Sequence, residues 1–138
     1  MLALIKINLK ISSTFTISFA CNNDDFADMQ PEPDASWKMV VYLSDPGDGS
    51  GTFTSVDSNK IINLFDNGIF SSNGNICNML STDSDSNTEG IYDIQNFTLN
   101  AAECDNQTNI SIRYQIVGNT MHLFYPCKET CYVKYTKI

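Results

Sequence analysis

Beyond residue 36 the apolar positions come in short runs that alternate with polar ones, and turn residues recur about every eight to twelve positions. No window keeps a helical repeat long enough to make a helix. The pattern predicts strands at 37–43, 60–65, 69–72, 90–94, 97–99, 109–117, 120–127 and 131–137, with a further short run at 76–80. The clearest alternation is in the last third. Ile110, Ile112, Tyr114 and Ile116 alternate with Ser111, Arg113 and Gln115, so one face of that strand is apolar. Gly118-Asn119 suits a two-residue hairpin turn. Pairing outward from it sets Ile116 against Met121, Tyr114 against Leu123 and Ile112 against Tyr125, all apolar, and a slip of one residue would break every match.

A three-residue loop at 128–130 would continue the meander, with Tyr125 against Val133, Leu123 against Tyr135 and Cys127 directly opposite Cys131. Opposed Cβ atoms lie about 4.5–5.5 Å apart, near disulfide range. This register favours a Cys127–Cys131 bond and leaves Cys77 with Cys104, although four cysteines allow three pairings. Asn67-Gly68 marks another hairpin, which pairs Phe65 with Phe70 and Leu64 with Ser71. About eight antiparallel strands in so short a span must hide their edges, and consecutive hairpins favour an all-β, up-and-down barrel over a Greek key.

Charge changes the picture at the N-terminus. Residues 1–20 contain no acid, and Lys6 and Lys10 precede an uncharged stretch that ends in Ala20 and Cys21. That order is expected of an export signal. The segment Ser18-Phe19-Ala20-Cys21, followed by Asn22-Asn23-Asp24-Asp25, resembles a bacterial lipoprotein signal, which implies cleavage before Cys21 and a lipid on its thiol. Residues 21–36 are acidic, carry Pro31 and Pro33, and read as a tether. Without 1–20 the chain keeps six basic residues against sixteen acidic ones, a net charge of −10. One arginine in all excludes a phosphate-neutralising nucleic-acid binder.

The domain at 37–138 resembles small bacterial lipocalin-like lipoproteins. The resemblance rests on Trp37 in the first strand, Asp45 to Phe53, Ser71 to Cys77, Tyr125-Pro126-Cys127-Lys128-Glu129-Thr130-Cys131, and the closing Lys134-Tyr135. It implies an eight-stranded barrel on a lipid tether in the outer membrane of the bacterial envelope, with mostly unassigned function.

Catalytic chemistry is sparse. A nucleophile needs a base beside it, and His122, the single histidine, falls on the polar face beside Gln115 and Thr136 with no acid in the register. Zinc would have to recruit His122 with Cys127 and Cys131, a weak spacing. The oxygen-rich loops Asp45–Ser50 and Asp83–Glu89 read as solvated turns rather than calcium sites. Arg113 is expected to lie over Phe124. No metal, cofactor or enzyme activity is therefore expected. Two uses remain. An interior lined by Ile112, Tyr114, Ile116, Leu123, Tyr125 and Tyr135 would hold a small apolar ligand; alternatively, loops or an exposed sheet face would dock a protein or glycan.

Overall fold

The structure is a computed structural model that describes residues 33–104, 110–127 and 130–138. The export signal, Cys21 and the tether as far as residue 32 lie outside the described residues. Nine strands follow in order: β1 (Ala35–Ser44), β2 (Thr52–Ser55), β3 (Ile61–Leu64), β4 (Ile69–Ser72), β5 (Thr88–Asp93), β6 (Thr98–Ala101), β7 (Ile110–Val117), β8 (Thr120–Phe124) and β9 (Cys131–Lys137). All pairings are antiparallel. The sheet runs β1-β3-β4-β5-β6-β7-β8-β9 and closes through β9 on β1, giving the expected up-and-down barrel of eight strands. β2 is an extra strand.

Its place follows from a bulge. β1 pairs with β9 along nearly its whole length, but Val40 has no partner in that ladder, because Met39 faces Tyr135 and Val41 faces Lys134. On its other side β1 meets β3 through Ala35–Lys38 and then β2 through Val41–Ser44. The Val40 carbonyl accepts from the Val56 amide as the chain crosses between the two. No residue of β2 is buried, so no alternation marked it in the sequence.

The β7–β8 register is as predicted from Ile116↔Met121 through Tyr114↔Leu123, ending at Arg113↔Phe124. Ile112 therefore has no ladder partner in Tyr125. The β8–β9 register differs by two residues from the expected one, with Leu123 against Val133 and Met121 against Tyr135. Faces survive a shift of two, so the same side chains still point inward. Pro126 has no N–H to extend the ladder, and β8 stops at Phe124. The Cys127–Cys131 disulfide nevertheless forms, at a Cα separation of 6.0 Å, from a loop position and not from directly opposed residues.

The β3–β4 hairpin differs by one residue. Leu64 faces Phe70, and Asn63 faces Ser71. The Phe65 amide donates to Ile69 O, which makes Asp66-Asn67-Gly68 a three-residue loop with Gly68 at φ +80°. With that loop Ile62, Leu64, Phe70 and Ser72 all become buried. The run at 76–80 is not a strand. It is a turn that places Ile76 and Met79 in the core.

The core gathers Trp37, Met39, Ile62, Leu64, Phe70, Leu99, Ala101, Ile112, Tyr114, Met121, Leu123, Val133 and Tyr135 from the barrel strands, with Ile76 and Met79 across one end. Gly90 allows β6 to approach: a Cβ there would lie 2.1 Å from Asn100 O and 2.7 Å from the Phe70 ring.

Candidate functional site

The inner face comes first, because the sequence nominated it. Ile112, Leu123 and Tyr135 are fully buried, and Tyr114 nearly so. Tyr125 is half-buried and donates from its hydroxyl to Ile76 O at 2.7 Å, tying β8's exit to the plugging turn. Burial pushes its phenol pKa well up. Ile116 departs from the expectation: two residues before the Gly118 turn, it is 42% exposed, although its ladder partner Met121 is fully buried. Two buried polar atoms lack partners among the described residues, Trp37 Nε1 and the Tyr135 hydroxyl. The ladder sets Trp37 against Lys137 and Met39 against Tyr135, so these two are diagonal neighbours on one face.

Lys60 is the interior residue that sequence reasoning missed. It is fully buried, and its Nζ donates to Asn75 O and Ser81 O. Ser58 Oγ donates to Thr82 O at 2.6 Å and accepts from the Lys60 amide at 3.0 Å. Burial lowers the Lys60 pKa to about 8, with partial compensation from Asp83. Nothing marks this lysine in the sequence, where it stands as one polar residue at the start of a strand. A fixed pair of carbonyls supplied by a distant turn is what makes its burial tolerable.

The outer face of β7, β8, β9 and β1, with β2 beside it, has a different character. One row of directly opposed, outward residues crosses five strands: Phe53, Leu43, Tyr132, Phe124 and Arg113. Four strand spacings make it about 19 Å long. Phe53 and Tyr132 meet edge to face at 5.4 Å, and Phe124 and Tyr132 at 5.6 Å. Leu43, set between Phe53 and Tyr132, is only 8% exposed although it lies outside the main core. Lys134 Nζ stands 4.2 Å from the Phe53 ring centre, and the Arg113 guanidinium stands 5.7 Å from that of Phe124, as expected. His122 pairs with Gln115 and, after the register shift, with Lys134 in place of Thr136. Partial burial and Lys134 hold its pKa below the ordinary value.

Charge is segregated as well. Strands β1, β7, β8 and β9 carry Lys38, Arg113, Lys134, Lys137 and His122 and not one acid, in a chain of net charge −8. The acids sit elsewhere. Asp45 accepts from the amides of Gly47, Gly49 and Gly51, which lower its pKa and occupy its oxygens within its own loop. That explains the loop without a cation. No group of three metal-ligating side chains occurs among the described residues.

Where the row ends at Arg113, an open groove of about 550 Å³ is lined by Asn96, Phe97, Arg113, Tyr114, Gln115, Ile116 and Phe124. Compared with known protein families, curated proteins and solved structures, the chain matches none.

Proposed function

We propose that the protein is an exported, lipid-anchored, non-catalytic barrel of the bacterial envelope, similar to lipocalin-like lipoproteins, that works by docking a partner on the outer face of β7, β8, β9 and β1. The observation that carries the docking reading is the aromatic row with its cations on an acid-free face. Rigid aromatic and arginine side chains supply most of the energy in protein recognition surfaces. β2 contributes nothing to the core, yet its register brings Phe53 to the row. Two disulfides suit an oxidising compartment, and the basic-uncharged-cysteine order before Asn22 suits the anchor. A non-catalytic role is supported by the one histidine, whose ring and ladder neighbours Phe124, Tyr132, Gln115 and Lys134 include no carboxylate to orient it and no nucleophile for it to activate.

The anchor is tested by Cys21→Ala, which is expected to move the protein out of the membrane fraction with its fold intact; an unlipidated Cys21 in the native protein would refute it. Docking is tested in intact cells with a benzophenone amino acid in place of Tyr132, and another in place of Ile91 as control. A discrete adduct from the first position alone is expected, and equal labelling at both rejects the face.

A second reading, a ligand inside the barrel, is favoured by the unpartnered Trp37 Nε1 and Tyr135 hydroxyl, which suit an oxygen on an otherwise apolar molecule. Native mass spectrometry of protein from its own membrane tests it: a co-purified ligand lost on Tyr135→Phe supports this reading, and a bare chain removes it.

A further inference from the structure

We infer that the groove at the end of the aromatic row binds a carboxylate carried on a flat ring, the ring held between Phe97 and Phe124 and the carboxylate on Arg113. The inference rests on reading the outer face as a docking surface and names the chemistry at one end of it.

Four observations converge. Arg113, the only arginine in the chain, makes no ion pair or side-chain hydrogen bond among the described residues, and its guanidinium is oriented by the Phe124 ring. The acid that ends β5, Asp93, is already engaged, accepting from the amides of Gln95 and Asn96 and from Asn96 Nδ2. Its carboxylate serves the turn. Phe97 has φ +54°, a left-handed conformation that a bulky side chain rarely adopts and that costs on the order of 1 kcal/mol. The conformation is held by the bond from the Tyr114 amide to Phe97 O at 2.8 Å, and the ring stands 57% exposed with its edge toward Tyr114 at 6.0 Å. Finally, the groove volume of about 550 Å³ is ample for a substituted ring.

The chemistry follows from these parts. Aromatic walls and Ile116 favour a flat, weakly polar body, and the Gln115 amide can meet a hydroxyl on its rim. One guanidinium presents a paired set of donors that matches the two oxygens of a carboxylate. A phosphate group is usually met by more than one cation or by a helix N-terminus, and the groove residues hold a single cation and no helix. Strands β7, β8, β9 and β1 bring no carboxylate that would compete for Arg113.

The test is an amide NMR titration of the full mature chain with 2-naphthoate and with its neutral counterpart 2-naphthylmethanol. The acid is expected to shift the amides of 96–97 and 113–116 and to bind about tenfold more tightly than the alcohol, as a charge-assisted pair would give. Arg113→Gln is expected to abolish that preference. Phe97→Gly is expected to weaken both probes while keeping or raising thermal stability, because glycine adopts the turn without strain. A glucuronate-terminated oligosaccharide carries its carboxylate on a puckered, polar ring and is expected to leave these amides unshifted; binding as tight as that of naphthoate would overturn the flat-ring assignment. Equal binding of acid and alcohol, an unchanged preference in Arg113→Gln, or shifts confined elsewhere overturns the inference. Cross-linking at Tyr132 reads the wider face independently, so an adduct there without naphthoate binding would reject the groove and keep the docking face. Naphthoate binding without that adduct would reject the face as a docking surface, and the inference with it.

Discussion

The barrel has two halves that are held together differently. β3, β4 and β6 have four residues each and β5 six, whereas β1, β7, β8 and β9 have ten, eight, five and seven. In the long-strand half the ladders suffice, and the outward side chains are released from structural duty. In the short-strand half, side chains bonded to distant backbone complete the closure. Lys60 and Ser58 hold the turn at 75–82, Asn73 accepts from the Ile61 amide and donates to Asn59 O, Thr88 bridges Gly74 and Ile76, and the Cys77–Cys104 bond fastens the turn to the end of β6. Short strands bury too few backbone bonds to seal a barrel end, and a polar plug takes over. The lesson is positional: surface chemistry accumulates where the fold does not need the side chains.

Substitutions should therefore divide sharply between the halves. The largest effect is expected from Gly90→Ala, because the added methyl meets backbone of β6 that cannot turn aside; a loss on the order of 3 kcal/mol or outright unfolding should appear in urea denaturation. Replacing Cys77 and Cys104 by alanine opens a closure of sequence separation 27. A loss of about 3–4 kcal/mol is expected from the loop-entropy relation, and non-reducing peptide mapping of the parent should show that linkage first.

Lys60→Met comes next, at about 2 kcal/mol, since it removes the donor to Asn75 O and Ser81 O. The same residue has a pH signature. Its folded pKa of about 8 lies below the ordinary lysine value of 10.5, so the unfolded chain binds the extra proton between those values. Stability should rise with pH from about 8 toward 10, where a neutral amine still donates to both carbonyls, and this rise should vanish in Lys60→Met. A flat profile in the parent would mean that the amine is not desolvated as the fold implies.

The smallest effect belongs to the long-strand half. Phe53→Ala should cost under about 1 kcal/mol, because a half-exposed ring on the extra strand leaves the barrel ladders untouched. It should nevertheless reduce cross-linking from position 132. A large stability loss here would make the aromatic row a structural clasp and erase the contrast between the halves.

Much of the barrel was legible in advance where alternation was strict. The β7–β8 hairpin was readable because Gly118 fixes the turn and every inward partner is apolar. The β3–β4 hairpin misled by one residue, since Asn67-Gly68 serves both a two-residue and a three-residue loop and only packing of Leu64 on Phe70 selects the latter. Of the six residues nominated for the interior, Ile112, Tyr114, Leu123 and Tyr135 are buried, Tyr125 is half-buried, and Ile116 lies at the rim. Arg113 over Phe124 was readable from one register; Phe53 beside Tyr132 required a strand that alternation does not reveal.

Local spacing alone determined the all-β class, the order of the hairpins and the facing of β7 and β8, because a two-residue period and a glycine turn act over a few positions. Tertiary structure decided the rest. The Val40 bulge that makes room for β2, the buried Lys60, the register of β9 and the aromatic row all join residues that are far apart in the chain. Their partners are chosen by barrel closure, which depends on the sum of all strands and is written in no single segment.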